Sequence, residues 1–453
     1  MAVVNSNIAS DIEEIKLSSS EKKAVSFFET NLDDKWEIYL KPFLNGCSPD
    51  LVLLNPEIGV AVFDIKDWDF YHPQIRYIDD RLCLSENEEI RKIRNPLADL
   101  RNYRYEIFNL YCPRLDGKYG LQVIKSGLIF PNADQEEIES VFKGLYSSNE
   151  LLIGKKIIEA KDVKPILSSS DLYGNWMSED TAADLRSWLI EPDYSSEQRE
   201  PIELNSTQKQ LIFTRTDTGF RRIRGAAGAG KSVVIASRAA ILANAGLKVL
   251  VVSFNITLLQ YLRDLCARYP HANPNKITWL NFHEWLKRTV LDLELDHEYN
   301  EIWGQAFVSG EKDSRKTSQL LERTLPEFLL KNLSSSNLGM VNQYDAILTD
   351  EGQDFHPLWW QVLRKVLNKN GEMLMAADLT QDIYSTTRYW TDTAMKGAGF
   401  SGKWGELTDS HRLPIELIPI VQDFSERFLR GRTTLIPLPP KRQHELFETC
   451  EIK

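Results

Sequence analysis

The sequence predicts an α/β protein in two parts, an N-terminal α+β module and a C-terminal module built on a parallel sheet. In the first part a helical pattern precedes two apolar strands that are joined by a tight turn. Beyond residue 204 a glycine-rich turn is followed by alternating strand and helix patterns, which is typical of a parallel sheet. A polar stretch with two prolines, Glu191 to Glu203, lies between the parts and indicates a linker.

Composition limits the class of protein. A chain of 453 residues is too long for one core, and 42% hydrophobic with 26% charged residues is ordinary for a globular protein. The net charge of -11 argues against a protein that coats nucleic acid by bulk electrostatics, although it allows a basic groove. Five scattered cysteines support neither a disulfide framework nor a zinc site. No signal peptide or membrane-spanning run is visible, so we expect a cytoplasmic protein without membrane partners.

The first module has a clear order of elements. The segment "SEKKAVSFFETNL" predicts a helix with a serine cap, and "LVLL" and "VAVFDI" predict two strands around the turn "NPEIG". A second helix is predicted for "NPLADLRNYRYEIFNLY" and a further strand for "LQVIKSGLIF".

Charged side chains end the second of these strands, Gly59–Trp68. Alternation places Asp64 and Lys66 on one face of the strand. Burying two charged side chains there is unfavourable unless they form an ion pair or bind a ligand. Asp50 begins the neighbouring strand, and Glu21 lies on the preceding helix. If they converge, Asp50 and Asp64 supply oxygen ligands for Mg²⁺ and Lys66 positions water, as phosphodiester hydrolysis requires. The alternative is an Asp64–Lys66 ion pair at a strand end with Asp50 in a turn.

The residues "SPD" and "FDIK" match the PD-(D/E)xK nuclease pattern, and the region from "SEKKAV" to "FDIKDWD" resembles the NERD (nuclease-related) domain. The resemblance implies a restriction-endonuclease-like, Mg²⁺-dependent DNA nuclease over residues 1–192, followed by a linker at 193–203. Ser20 replaces the family's glycine, Asp64 its usual glutamate, and Asp99 stands where a glutamine is expected. The implied catalytic residues are Glu21, Asp50, Asp64 and Lys66, with Asp50 and Asp64 as metal ligands.

The second module contains "GAAGAGKS", which satisfies the phosphate-loop pattern G-x-x-x-x-G-K-[ST]. Its backbone N–H groups would surround phosphate oxygens at the start of the helix "SVVIASRAAILANAG". Lys231 would reach the β- and γ-phosphates of ATP, and Ser232 would coordinate Mg²⁺. The pattern assigns no role to Arg221 and Arg222 in the preceding strand. The predicted loop comprises Gly225, Ala226, Ala227, Gly228, Ala229, Gly230, Lys231 and Ser232.

The segment "ILTDEGQD" is an apolar strand that delivers two carboxylates to its carboxyl end, where ligands bind in parallel sheets. Asp350 is predicted to hold Mg²⁺ and Glu351 to polarise the attacking water. The alternative is an acidic surface loop. Trp359 and Trp360, on the helix that follows, are predicted to be core residues.

Together with these two motifs, four more segments in the range 204–414 resemble superfamily 1 helicases of the UvrD/Rep type: "LNSTQKQ", "SFN" with "NFHEW", "AADLTQDIY" and "SHRLP". The resemblance implies that Gln208 reads adenine, and that Gln381 and Arg412 contact the γ-phosphate. Aromatic residues in such motors stack on single-stranded bases. The implied DNA-binding residues are Asn255, Phe282, His283 and Tyr384, with Trp390 as a further aromatic candidate.

The helicase resemblance also implies an organisation. Residues 204–404 correspond to a RecA-like first half with a helical insertion at about 286–337, and residues 405–453 to the start of a second half or a tail. We therefore expect a fragment or a short form with weak ATPase activity, whose second half comes from another copy or a partner protein. Such a nuclease–helicase fusion suits bacterial DNA repair or antiphage defence. The alternative is an ATP-responsive DNA-binding or regulatory protein with an inactive nuclease-like docking domain.

Overall fold

The computed structural model describes residues 3–5, 17–68, 70, 74–78, 81–86, 89–92, 95–112, 114–115, 120–147, 149–164, 177–189, 202, 204–225, 228–269, 272–308, 311–378, 381, 386–409 and 415–428. The chain forms two compact units, Met1–Asp193 and Tyr194–Lys453. Of the predicted linker, only Ile202 is among the described residues. None of the helices in the described ranges is both long and apolar enough to cross a bilayer.

The first unit is built on a six-stranded mixed sheet. Three central strands are antiparallel neighbours, and the outer strands pair in parallel. The sheet order is β1 (Val3–Asn5), β2 (Glu37–Leu40), β3 (Leu51–Asn55), β4 (Gly59–Ile65), β8 (Ile124–Phe130) and β9 (Glu150–Gly154), and a separate antiparallel sheet contains β5 (Gln74–Ile78), β6 (Arg81–Glu86) and β7 (Glu89–Lys92).

Helices cover the mixed sheet. The first helix begins after Ser18, whose hydroxyl caps the backbone N–H of Glu21. Its Phe28 ring lies 5.3 Å from that of Phe63 in the buried core. The predicted helices and strands of this module are therefore confirmed. The helices are α1 (Ser19–Asn31), α2 (Pro96–Glu106, continued by a π-helical turn at Ile107–Tyr111), α3 (Gln135–Val141), α4 (Lys155–Glu159) and α5 (Glu179–Leu189), with a 3₁₀ turn at Leu121–Val123.

The second unit contains the predicted parallel sheet. Its strands are almost fully buried because helices cover both faces, which explains their continuous apolar sequences. The order is β12 (Ile277–Asn281), β11 (Val249–Ser253), β15 (Tyr344–Thr349), β16 (Leu367–Ala377), β10 (Phe220–Gly225) and β17 (Trp404–Leu407), all parallel. Since β17 pairs with β10, the sheet extends past residue 404, where the sequence placed the boundary.

The helices of this unit alternate with its strands, and the segment between β12 and β15 is mostly helical. The bounds are α6 (Ser206–Phe213), α7 (Lys231–Asn244), α8 (Ile256–Ala267), α9 (Phe282–Asp292), α10 (Asp296–Gly304), α11 (Ser314–Gln319), α12 (Leu325–Asn332), α13 (Pro357–Lys365), α14 (Asp392–Gly397) and α15 (Ile418–Phe428), with a hairpin of β13 (Phe307–Val308) and β14 (Glu311–Lys312), a π-helical turn at Leu320–Thr324, and 3₁₀ turns at Pro274–Lys276, Leu338–Met340, Gly352–Asp354, Thr386–Tyr389 and Ile415–Leu417.

The arginines of β10, which the sequence left unexplained, stabilise its surroundings. The Arg221 guanidinium donates to the carbonyl oxygen of Leu211 at 2.7 Å and so caps the end of α6. Arg222 Nε donates to the carbonyl oxygen of Gly402 at 2.8 Å, and its guanidinium lies 4.8 Å from the centre of the Trp404 ring. These arginines therefore attach the helix before β10 and the strand beside it to the sheet.

Candidate nucleotide and metal sites

The parallel sheet brings the predicted motifs of the second unit to one edge. Strands β10, β11, β12, β15 and β16 all run in the same direction, so their carboxyl ends share that edge. The segments that follow these strands contain the phosphate-loop pattern, the two predicted DNA motifs, the acidic motif and Gln381. Sequence segments more than 150 residues apart thus meet as in other open parallel sheets.

The loop after β10 has the backbone that its glycines predict. Gly228 and Gly230 have φ of 78° and 85°, a left-handed conformation that favours glycine. A Cβ at Gly230 would lie only 2.4 Å from Gln208 Nε2, so a side chain here would displace the Gln208 amide as well as strain the backbone. Helix α7 begins at the next residue with no side-chain cap, and its first N–H groups point towards the loop. Ala226 and Ala227 lie outside the described residues.

Lys231 is buried at the base of this loop with 7% of its surface exposed. Its Nζ donates to the carbonyl oxygen of Gly225 at 2.8 Å and lies 3.4 Å from Asp378 Oδ2. The ammonium group is therefore held under the loop, at the position from which the pattern predicts that it reaches phosphates.

Asp350 follows β15 and is fully buried. Burial and the charge of Glu351 raise its pKa to about 6, although hydrogen bonds from the Ser232 side chain and the Glu351 N–H lower it. Its Oδ2 atom has no hydrogen-bond partner in the part of the chain that the structure describes. A desolvated carboxylate oxygen beside a serine hydroxyl fits a divalent cation, so Asp350 and Ser232 are suited to hold Mg²⁺.

Glu351 begins a chain of hydrogen bonds that leads to Gln381. It adopts φ of 51°, which costs a non-glycine residue about 1–3 kcal/mol. Gln353 Nε2 donates to Glu351 Oε2 at 2.7 Å, and Gln353 Oε1 accepts from the Asp378 N–H at 2.9 Å. Gln381 Nε2 donates to Asp378 Oδ2 at 2.8 Å. Sequence reasoning missed Gln353 and Asp378, although both stand beside predicted residues at the carboxyl ends of strands.

Gln208 lies next to the loop but is engaged in capping α6. Its backbone N–H donates to Asn205 Oδ1 at 2.8 Å, and its Oε1 accepts from the Asn205 N–H at 3.0 Å. The side chain is buried, with 3% of its surface exposed. In this structure Gln208 caps α6 close to Gly230, and the reading of adenine stays a prediction.

One predicted DNA contact needs correction. Phe282 is fully buried and its ring stacks 4.2 Å from that of Trp359, so it has no free face for a base. The cause is the helix after the acidic motif, which brings Trp359 and Trp360 into the core as predicted. Trp390 is likewise engaged, since its Nε1 donates to the carbonyl oxygen of Phe355 at 3.0 Å.

Two other predicted DNA residues lie near this aromatic core. His283 packs edge-on against Trp359 with ring centres 5.0 Å apart, and burial lowers its pKa to about 4, so the imidazole is neutral near pH 7. Asn255 is exposed and caps α8 by accepting from the Thr257 N–H at 3.0 Å. Tyr384 and Arg412 lie outside the described residues.

The first unit brings together the residues at its predicted hairpin. Leu51 pairs with Phe63, so Asp50, which precedes β3, and Asp64, in β4, lie at the same end of the hairpin. Asp50 Oδ2 accepts from the Ile65 N–H at 2.7 Å, and Lys66 Nζ lies 3.3 Å from Asp64 Oδ2. Asp64 is buried with 5% of its surface exposed.

Both carboxylates are harder to ionise than an ordinary aspartate. Burial is the main reason that the pKa values of Asp50 and Asp64 are raised. The charge of Asp64 adds to the effect at Asp50, and the charge of Asp99 adds to it at Asp64, whereas Lys66 lowers both. Asp99, which replaces the family's glutamine, therefore adds negative charge to this site.

Glu21 caps the first helix and pairs with a lysine. Its Oε2 accepts from the Ser18 N–H at 2.7 Å, and its Oε1 lies 2.8 Å from Lys41 Nζ. Both oxygens are thus engaged in a capping box and an ion pair, and the charge of Glu21 also raises the pKa of Asp50, while its catalytic role stays a prediction. Among the described residues, no three His, Cys, Asp or Glu side chains are grouped closely enough to hold a metal ion together.

Comparison with known proteins gives likenesses to solved structures only. No family model and no curated protein matches the chain. Among solved structures, the Pif1 helicase from Candida albicans is similar with 11% sequence identity and a TM-score of 0.28. The match covers 49% of this chain and 44% of that one, so this chain spans less than half the length of the solved helicase. A likeness at this level assigns no function to this chain.

Proposed function

We propose that the second unit binds ATP with Mg²⁺ and hydrolyses it, as the motor half of a superfamily 1 UvrD/Rep-like enzyme that acts on single-stranded DNA. The observation that carries this proposal is the meeting of Lys231, Ser232 and Asp350 at the carboxyl edge of one parallel sheet, where Asp350 Oδ2 has no hydrogen-bond partner among the described residues. An unpaired, desolvated oxygen is costly unless a ligand completes it.

Phosphate binding is assigned to the glycine loop and to the start of α7. Backbone N–H groups of the loop and the positive end of the helix favour a polyanion. Lys231, buried at the base of the loop, adds a full positive charge where solvent screening is weak. Binding to this site therefore depends on phosphate charge more than on the base.

The metal is assigned to Asp350 and Ser232. Bound Mg²⁺ would neutralise charge that develops on the transferring phosphoryl group. Asp350 must give up its proton to hold a cation, and its raised pKa of about 6 makes that requirement pH-dependent. Ser232 contributes a hydroxyl oxygen that already contacts the carboxylate.

Glu351 is assigned the role of orienting and polarising the attacking water. Gln353 holds one of its oxygens at 2.7 Å and leaves the other to accept a hydrogen bond from that water.

DNA binding is assigned to the same edge of the sheet, where Asn255, Ile256 and Thr257 are exposed after β11. The first turn of α8 could meet backbone phosphates, while exposed aromatic residues such as Tyr389 stack on bases. Phe282 is excluded from this role by its burial.

A second activity, Mg²⁺-dependent DNA cleavage, is proposed for the first unit. It is supported by Asp50 and Asp64 at the same end of the hairpin, where the charge of Asp64 acts on Asp50, with Lys66 Nζ 3.3 Å from Asp64 Oδ2. Mg²⁺ commonly takes one or two carboxylates and completes its shell with water and substrate phosphate oxygens, so two carboxylates suffice here. Lys66 would position the attacking water or stabilise the leaving charge.

Nucleotide binding tests the motor proposal. Lys231→Ala should abolish binding of a fluorescent ATP analogue without unfolding the protein, and Glu351→Gln should retain binding but lose hydrolysis. Lys248→Ala, at the opposite end of β11, is the control lysine substitution and should bind as the wild type does. Unchanged binding by Lys231→Ala would defeat the assignment.

A nicking assay with Mg²⁺ tests the nuclease proposal. Asp64→Ala and Lys66→Ala should each remove cleavage of labelled DNA, whereas Lys35→Ala, which breaks the exposed Lys35–Glu57 ion pair, should not. Wild-type cleavage that persists in both site variants would instead favour a nuclease-like docking domain in an ATP-responsive DNA-binding protein.

A further inference from the structure

One carboxylate oxygen of Asp378 contacts both Lys231 and Gln381, the two side chains predicted to contact nucleotide phosphates. Asp378 Oδ2 accepts from Gln381 Nε2 at 2.8 Å and lies 3.4 Å from Lys231 Nζ. Lys231 and Asp378 are both buried, with 7% and 2% of their surfaces exposed. An anionic oxygen between an ammonium and an amide N–H₂ group has the chemistry of a phosphate oxygen in the same place.

The position of Asp378 is built into the sheet. It follows directly after β16, and its backbone N–H donates to Gln353 Oε1 at 2.9 Å. A Cβ at Gly352 would lie 2.7 Å from Met375 Cγ, so the acidic motif and β16 approach as closely as glycine allows. The backbone of Asp378 is therefore held in place, and its carboxylate stays within reach of Lys231.

We propose that Asp378 acts as an internal phosphate mimic that competes with nucleotide for Lys231 and Gln381. This proposal rests on the ATP-binding function proposed above. A bound nucleotide phosphate has to replace the Asp378 oxygen as the partner of Lys231 and of Gln381. The Asp378 carboxylate therefore weakens nucleotide binding by the free energy of the two contacts that are broken. The carboxylate also couples Lys231 and Gln381, because both lose their contact with the same Asp378 oxygen when they bind phosphate.

The hydrogen-bond chain extends the consequence to hydrolysis. Gln353 joins the Asp378 N–H to Glu351 Oε2, so the residue that competes with phosphate is tied to the group that orients water. Gln381, which donates to the same carboxylate, precedes Tyr384, a predicted DNA contact, by three positions in the sequence. Asp378 is thus a positioning residue that links occupancy of the phosphate site to the orientation of Glu351.

Binding measurements on Asp378→Asn test the proposal. The amide keeps the shape but loses the charge, so ATP and ADP should bind more tightly by about tenfold, which corresponds to about 1.4 kcal/mol. Adenosine, which has no phosphate, should bind equally to both proteins. Asp378→Glu restores the charge and should return ATP affinity towards that of the wild type.

A matched control separates this contact from a general loss of negative charge. Glu406→Gln removes a carboxylate on the neighbouring strand β17, where it pairs with Arg224 and touches neither donor. It should change ATP affinity by less than about twofold, as expected for an exposed, screened charge. An equal gain in Glu406→Gln and Asp378→Asn would overturn the proposal.

The other outcomes are also distinct. If the Asp378→Asn protein unfolds cooperatively, and is therefore folded, but binds ATP no more tightly than the wild type, the phosphate-mimic proposal is overturned. The proposed ATP site is not affected by that result. If Asp378→Asn does not fold, Asp378→Ser offers the same loss of charge in a smaller side chain and carries the same expectation. Absence of ATP binding by the wild type, or equal binding by Lys231→Ala, would instead remove the proposed function itself.

Discussion

Replacing Asp350 with asparagine should stabilise the protein at neutral pH. Burial raises the pKa of Asp350 from its ordinary 3.8 to about 6. The folded protein therefore holds this proton more tightly than the unfolded chain, and stability is lost as pH rises from about 4 to about 6. Since one pKa unit corresponds to about 1.4 kcal/mol, the ionised carboxylate costs about 3 kcal/mol above that range. Asparagine avoids this cost, and its Oδ1 can still accept from Ser232 and from the Glu351 N–H.

Urea unfolding of both proteins in EDTA, from about pH 4 to pH 8, measures the effect. The free energy of unfolding should differ little at the acidic end, and the difference should grow by about 3 kcal/mol in favour of Asp350→Asn as the wild-type carboxyl ionises. Other titrating groups, including Asp50 and Asp64, cancel in the difference. Adding Mg²⁺ with ATP at neutral pH should stabilise the wild type selectively, because a ligand that binds only the folded state raises its stability.

The exposed Asp217 provides the control, since Asp217→Asn should change stability little at any pH. If the difference in the free energy of unfolding between the wild type and Asp350→Asn does not depend on pH, the Asp350 carboxylate is not a desolvated charge that a bound cation would stabilise. An Asp350→Asn protein that becomes relatively less stable as pH rises would lead to the same conclusion.

Gly230→Ala should destabilise the second unit and weaken ATP binding, because its Cβ would lie 2.4 Å from Gln208 Nε2. Gly246→Ala, at φ of 81° with open space, should show only the backbone strain of about 1–2 kcal/mol in the same urea titration. Phe282→Ala should lower the free energy of unfolding by about 3–5 kcal/mol. If the Phe282→Ala protein is as stable as the wild type but binds single-stranded DNA weakly, the assignment of Phe282 to the core is wrong. Because the pKa of Asp64 is raised, DNA cleavage should be lost on acidification at a higher pH than for an enzyme that uses an ordinary aspartate. Cleavage rates that do not change with pH would exclude a catalytic role for the Asp64 carboxylate.

Local spacing was enough to predict the elements that build the candidate sites. The glycine pattern before Lys231 specifies a left-handed turn and a helix start, which depend on neighbouring residues alone. Continuous apolar strands predict a sheet covered on both faces, and parallel strands bring their carboxyl ends to one edge. The strand alternation that placed Asp64 and Lys66 on one face is equally local. These features require no knowledge of distant partners.

Other assignments depended on contacts that no local pattern contains. Phe282 has the sequence context of a DNA-contacting residue, yet Trp359, 77 positions further on, covers its ring. Glu21 was expected among catalytic groups, but Lys41 and the Ser18 N–H engage both of its oxygens. Asp378 drew no attention in the sequence because its importance comes from Lys231, which precedes it by 147 positions.

The sequence by itself therefore determined the parallel-sheet class of the second unit and the residues that gather at its edge, because backbone conformation and strand direction follow from short-range chemistry. The tertiary structure alone decided which of those side chains remain accessible and which oxygen atoms are engaged. Burial and pairing depend on the packing of segments far apart in the chain, and that packing sets the free-energy cost of every charge at these sites.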